Sequence, residues 1–140
     1  MSDILFTSTA TAKGGRNGKV ESSDGNIQME TAMPGTDRAK EVPTATNPEQ
    51  LFAAGYAACF DGALQLVASK EKAEFESEVT ANVSLVKDKE DDGFKIAVKI
   101  QVKGTGIDKD QLEELVEKAH GVCPYSKATR NNIDVELEVI

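Results

Sequence analysis

Two cysteines, three arginines and one histidine have the greatest scope for chemistry in this chain: Cys59 and Cys123, Arg16, Arg38 and Arg130, and His120. A thiolate can attack an electrophile, be oxidised reversibly or bind a metal. The two cysteines stand too far apart for a C-x-x-C redox motif or a four-ligand zinc pattern. Cys59, Cys123 and His120 together would lack both close ligand spacing and a fourth ligand, so no metal is expected. His120 reads as an ordinary, partly exposed residue rather than a base or ligand.

A reactive Cys59 needs a cation nearby, because an apolar setting raises a thiol pKa and makes it inert. Arginine suits that task better than the thirteen lysines, since its charge is never lost and its planar fork can hold a carboxylate at the same time. Arg16 lies in Lys13-Gly14-Gly15-Arg16-Asn17-Gly18, where a Gly-rich backbone can approach another element closely. A surface arginine in a turn fits the same residues. Cys123 precedes Pro124; if Pro124 opens a short helix through Arg130, Cys123 is its N-cap, and the helix end favours a thiolate. Two buried, inert thiols, one of them merely capping, remain open at this level.

The elements around these residues follow from pattern. Residues 4–13 read as a strand, followed by the Gly-rich turn and two short strands, about 19–23 and 27–32, joined around Asp24-Gly25. Residues 33–46 dissolve into Pro, Gly, Thr and charges, a loop. Asn47, Pro48 and Gln50 form a compact helix start, and the helix should run to about Ser69. Leu51 through Leu66 is apolar or small almost all round, with Asp61 the only charge. Such a helix must be buried on most sides, and a second copy of the chain is the expected cover.

Two alternating segments come next. Val79, Ala81, Val83 and Leu85 share one face, and Phe94, Ile96, Val98, Ile100 and Val102 another, with the turn at Lys89 to Gly93. Asp108 and Gln111 start a second helix with apolar Leu112, Leu115, Val116 and Ala119, which Gly121 should stop. Ile133, Val135, Leu137 and Val139 form a last strand. The order βββ-α-ββ-α-β is an α+β fold, with antiparallel sheets around a long buried central helix.

Composition narrows the function classes. The chain has 140 residues and a net charge of −8. One domain, 1–140, is expected; at that length roughly 68–70% of the unfolded surface is buried, so disulfides are not required. Nucleic-acid binding is disfavoured, because phosphate neutralisation needs a surplus of Lys and Arg. No apolar run approaches the roughly 20 residues of a membrane span. The start, Met1-Ser2-Asp3, shows no basic segment leading into an apolar one, so no secretory signal is expected. A cytoplasmic, acidic, soluble domain follows, without nucleic-acid or membrane partners.

Two segments carry a resemblance. Asn47-Pro48-Glu49-Gln50-Leu51-Phe52-Ala53-Ala54-Gly55-Tyr56-Ala57-Ala58-Cys59-Phe60 and Ala119-His120-Gly121-Val122-Cys123-Pro124-Tyr125-Ser126 closely resemble the OsmC/Ohr family of thiol peroxidases. The Tyr after the Cys-Pro pair is similar to the organic hydroperoxide resistance (Ohr) branch rather than the OsmC branch. The resemblance implies an intertwined homodimer with two active sites at the subunit interface. It matches Cys59 to the peroxidatic cysteine, Cys123 to the resolving one, and Arg16 and Glu49 to the pair that activates the thiolate. It also implies reduction of organic and fatty-acid hydroperoxides to alcohols, through a Cys59 sulfenic acid and a Cys59–Cys123 disulfide. No bound cofactor is implied; dihydrolipoamide on a lipoylated protein, or another dithiol, is the implied reductant. Phe52 and Met33 are expected as an apolar substrate wall.

Two other readings are a broader OsmC-branch peroxidase and a non-catalytic redox-sensing dimer. An acidic chain with no basic arm suits a DNA-bound sensor poorly. Helix geometry adds a constraint: Glu49 and Cys59 are ten residues apart, so one straight helix separates their backbones by roughly 15 Å. If two copies cross antiparallel near Ala54, Glu49 of one comes level with Cys59 of the other. Each site is therefore expected to draw these two residues from different subunits.

Overall fold

The computed structural model describes residues 3–140. The expectation about a secretory signal falls partly on Met1 and Ser2, which lie outside them. The chain divides into two compact units, Met1–Pro48 and Glu49–Ile140.

In the first unit, β1 (Ala10–Lys13), β2 (Lys19–Ser22) and β3 (Gln28–Glu30) form an antiparallel sheet in chain order. The strand expected over 4–13 pairs only from Ala10 onward. Its partner ends at Ser22, where Asp24 accepts from the Ser22 hydroxyl and the Asn26 N–H and turns the chain. Ile4, Leu5 and Phe6 are left 74%, 92% and 83% exposed within the chain. The expected loop 33–46 contains a short helix, α1 (Asp37–Glu41), because Thr36 caps it by accepting from the Ala39 N–H. Among the described residues of this unit only Thr31, Ala32 and Thr46 are buried.

The second unit is built on α2 (Pro48–Lys70), which starts and ends close to the expected positions. β4 (Glu76–Asp88) and β5 (Gly93–Thr105) pair antiparallel along their whole length. α3 (Lys109–Val122) and α4 (Pro124–Thr129) then carry the chain back to β6 (Val135–Val139). β6 lies parallel to β5, so this sheet is mixed rather than antiparallel: a helical crossover returns the chain in its original direction. Asp108 caps α3 as expected, accepting from the Gln111 N–H at 2.8 Å, and Leu112, Leu115, Val116 and Ala119 are buried. Gly121 does not end the helix. The stop falls at Cys123, because the residue before a proline is driven out of the helical region.

Ile100, Val102, Leu115, Phe60, Leu64 and Tyr56 are the large side chains at the centre of the core. Phe94, expected to share a face with Ile96, Val98, Ile100 and Val102, is 69% exposed: the core formed with α2 and α3 takes in Val98, Ile100 and Val102 and stops short of the outer end of the hairpin. α2 buries Tyr56, Phe60, Ala63, Leu64, Val67 and Ala68 and leaves Ala54, Ala58, Gly62 and Leu66 exposed in the single chain. By length and composition α2 could cross a bilayer, contrary to the expectation that no segment would. Its buried face instead packs with the sheet and α3 in the core.

Candidate active site

Cys59 projects from the middle of α2 and is half-buried, while Cys123 is fully buried at the α3–α4 junction. The two residues are 64 positions apart, yet the Cys123 thiol donates to Cys59 Sγ at 3.4 Å. Pro124 does open a short helix, and Cys123 is its N-cap residue. The backbone N–H of Tyr125, in the first turn of α4, donates to Cys59 Sγ. These are free thiols in van der Waals contact, farther apart than the roughly 2.05 Å of a disulfide bond.

The local electrostatics of Cys59 pull both ways. Burial pushes the thiol above its ordinary value, the Tyr125 N–H pulls it down, and Cys123 adds a smaller upward push. The upward push wins, so these surroundings by themselves favour the neutral thiol. A thiolate at Cys59 would need positive charge in addition.

Aromatic side chains gather beside the thiols. Phe52 and Tyr56 meet edge to face with ring centroids 5.9 Å apart, and Tyr125 lies 5.7 Å from each. Tyr125 comes this close because Gly55 has no side chain: a Cβ there would stand 2.7 Å from the Tyr125 hydroxyl. Phe52 thus lies in an apolar, aromatic cluster on the same unit as both cysteines.

Beneath the thiols runs a buried polar chain whose members no motif in the sequence marks. The Tyr56 hydroxyl lies 2.8 Å from Ser126 Oγ and 3.1 Å from Thr129 Oγ1, and Ser126 Oγ lies 2.9 Å from His120 Nδ1. Its one trace in the sequence is a tyrosine within an apolar helix, whose hydroxyl must find a partner when buried. His120, expected to be an ordinary residue, is one end of that chain. Arg130 ties the same corner, donating to the His120 carbonyl at 2.7 Å.

Burial, and then the Arg130 guanidinium, hold His120 below its ordinary 6.5, with Glu117 opposing them. The neutral ring can accept from the Ser126 hydroxyl. The unfolded chain binds this proton more readily than the folded one, so the contribution to stability is complete above 6.5 and is lost as pH falls toward the depressed folded value. A His120→Asn variant keeps a polar atom there but no longer titrates. Its urea midpoint should fall less between about pH 8 and about pH 5 than that of the parent. Equal pH dependence in the two proteins would exclude His120 as the source.

The remaining expected site residues belong to other places in the chain. Arg16 sits half-buried in a 3₁₀ turn, Gly15–Asn17, which Gly14 and Gly15 enter with φ of 82° and 59°. Thr31 pins this turn: its hydroxyl donates to the Gly15 carbonyl at 2.7 Å and accepts from the Gly18 N–H at 2.8 Å. Arg38 holds it from outside, donating to the carbonyls of Thr31 and Gly18 at 2.9 and 3.0 Å. Met33, half-buried, is in the same unit. Glu49 is in the first turn of α2, ten residues before Cys59 and so roughly 15 Å along the helix. The structure therefore brings Cys59 and Cys123 together, with Phe52 in the adjoining aromatic cluster; Arg16 and Met33 belong to the first unit. Among the described residues, no three or more His, Cys, Asp or Glu side chains gather as a metal site.

Comparison with known proteins places this geometry among relatives. A family model described as OsmC-like protein matches residues 37–138. The chain is 66% identical over 139 residues to the organic hydroperoxide resistance protein OhrA of Bacillus subtilis, covering 99% of each chain. It is 46% identical to an organic hydroperoxide resistance protein of Xanthomonas axonopodis pv. citri, covering 96% of this chain and 94% of the other. The crystal structure of OhrB of Bacillus subtilis superposes with a TM-score of 0.93 at 51% identity, covering 98% of this chain and all of that one.

Proposed function

The chain belongs to the OsmC-like family, in its organic hydroperoxide resistance branch, and from that premise we propose that it is a thiol-dependent peroxidase that reduces alkyl and fatty-acid hydroperoxides to alcohols. The observation that carries this reading is the pair of free thiols at 3.4 Å, one half-buried and one sealed in the core.

The Cys59 thiolate attacks the terminal peroxide oxygen and breaks the O–O bond. The departing alkoxide takes a proton and leaves as the alcohol, while Cys59 becomes a sulfenic acid. Cys123 then attacks that sulfur; the disulfide forms and the sulfenic oxygen leaves as water. A dihydrolipoyl group on a partner protein, or another dithiol, reduces the disulfide by exchange and is itself oxidised to a disulfide. The Tyr125 N–H helps hold the anionic sulfur. Arg16 supplies the positive charge that overcomes burial, also stabilising the departing oxygen, and Glu49 orients the guanidinium as a paired carboxylate. Phe52 and Met33 form the apolar wall that favours alkyl hydroperoxides over hydrogen peroxide.

The working unit in this reading is a homodimer, in a cytoplasm that keeps resting thiols reduced. The exposed face of α2, with Ala54, Ala58 and Gly62, allows close approach of a second copy. Crossing near Ala54 would set Glu49 of one subunit level with Cys59 of the other.

Stoichiometric titration with cumene hydroperoxide, followed by thiol counting, tests the scheme. One equivalent per chain should remove both thiols as an intramolecular disulfide, and hydrogen peroxide should react more slowly. Retention of both thiols after complete peroxide loss would overturn it.

A further inference from the structure

The hydroxyl groups beneath the thiols stand in register with them. Tyr56 and Cys59 are three residues apart on α2, and Cys123 and Ser126 are three apart at the start of α4. Side chains three apart on a helix lie on one face. The two elements therefore meet through two neighbouring rungs: Cys59 with Cys123 at 3.4 Å, and Tyr56 with Ser126 at 2.8 Å. Thr129, one turn further, adds a second hydrogen-bond partner for the Tyr56 hydroxyl at 3.1 Å.

The first rung changes during the proposed reaction and the second does not. Once Cys59 gains an oxygen, the Cys123 thiol no longer meets the same acceptor. α4 has only six residues, so its own helical hydrogen bonds can do little to fix its position. Arg130 and the Cys123 N–H tie it to α3, through the carbonyls of His120 and Ala119. The Tyr56 hydroxyl ties it to α2, the helix that carries Cys59. All three hydroxyl-bearing residues are buried, so water does not compete for these bonds.

We propose that Tyr56, acting through Ser126 and Thr129, is a positioning residue for the resolving step: it keeps α4 seated against α2 while Cys59 is a sulfenic acid, so that Cys123 remains in line to close the disulfide. This rests on the peroxidase reading above. Tyr56 is fully buried, with its hydroxyl engaged by Ser126 and Thr129, and its role is confined to the second step.

The consequence is a split between two rates. A Tyr56→Phe variant keeps the ring and loses only the hydroxyl. In single-turnover mixing with one equivalent of cumene hydroperoxide, its peroxide consumption should match the parent. Disulfide closure, followed by intact mass after quenching with a sulfenic-acid trap, should slow about tenfold, the scale of one buried hydrogen bond. Because closure competes with a second peroxide, the variant should also reach the sulfinic acid at lower peroxide excess. Thr129→Val should show a smaller slowing of closure, and Thr129→Ser, which keeps the hydroxyl, should restore the parent rate. General loosening of the fold would slow both steps together and would not be rescued by the hydroxyl.

Closure at the parent rate in Tyr56→Phe and Thr129→Val, with unchanged sensitivity to excess peroxide, would overturn the positioning role while leaving the peroxidase reading intact. Parent protein that forms neither a trapped sulfenic acid nor a disulfide would overturn both.

Discussion

A Cys59→Ser variant loses organic hydroperoxide reduction by on the order of a thousandfold or more, down to the uncatalysed background, as expected when a nucleophile is removed. A serine hydroxyl is barely ionised near neutral pH and cannot form a sulfenic acid, so both halves of the cycle disappear. Folding should survive, because Cys59 is only half-buried and its core neighbours Tyr56, Phe60 and Leu64 are untouched. The matching change at the second thiol gives a different result. Cys123 is completely buried, so alanine is the better probe than serine, whose hydroxyl would need a new partner there. Without added thiol, Cys123→Ala should consume a first equivalent of cumene hydroperoxide per chain as fast as the parent. That leaves a sulfenic acid, which excess peroxide then carries to the sulfinic acid with a second equivalent. Steady-state peroxide loss with a dithiol reductant measures the first outcome, and thiol-free peroxide stoichiometry with intact mass measures the second. Parent-like turnover in Cys59→Ser would remove that sulfur from the chemistry.

Arg16→Ala has the second largest expected effect, a loss of about a hundredfold in the rate of peroxide reduction near neutral pH, comparable to deleting one donor from an anion-stabilising site. The surroundings of Cys59 within its own unit push the thiol toward the neutral form despite the Tyr125 N–H. Without the guanidinium the thiolate fraction at neutral pH falls, and the rate should climb as pH rises through the displaced thiol titration. The parent rate should be flatter over that range. Stopped-flow peroxide reduction from about pH 6 to about pH 10 reads the difference, with circular dichroism to show that the fold is kept. The turn that carries Arg16 has its own supports in Thr31 and Arg38, so truncating the side chain leaves those hydrogen bonds in place. An unchanged rate and pH profile would take Arg16 out of the mechanism.

Much of the scaffold was legible in the residues. The start of α2 at Pro48, the cap of α3 at Asp108 and the β4–β5 hairpin all follow from local rules. Errors fell where a local signal competed with a distant partner. Gly121 reads as a helix stop, but Pro124 two residues past the helix end decides the boundary. Phe94 continues the alternation of β5, yet the core formed with α2 and α3 takes in Val98, Ile100 and Val102 and stops short of it. The thiols, Arg16 and Glu49 could be singled out by type and by motif. The hydroxyl chain could not, because Tyr56, Ser126, Thr129 and His120 carry no sequence spacing that marks them as neighbours.

The sequence by itself determined the start signals and apolar patterns that build two helices and a hairpin, and the two cysteines, each held in a run with a distinctive pattern. Those properties depend on covalent order and on contacts a few residues apart, which a one-dimensional pattern records. Only the tertiary structure decided that Cys59 and Cys123 meet at 3.4 Å, that β6 runs parallel to β5, and that Tyr56 reaches Ser126 across 70 residues of chain. Each of those depends on how helices seat on a sheet. That seating is set by burial of the whole core together, and no single segment encodes it.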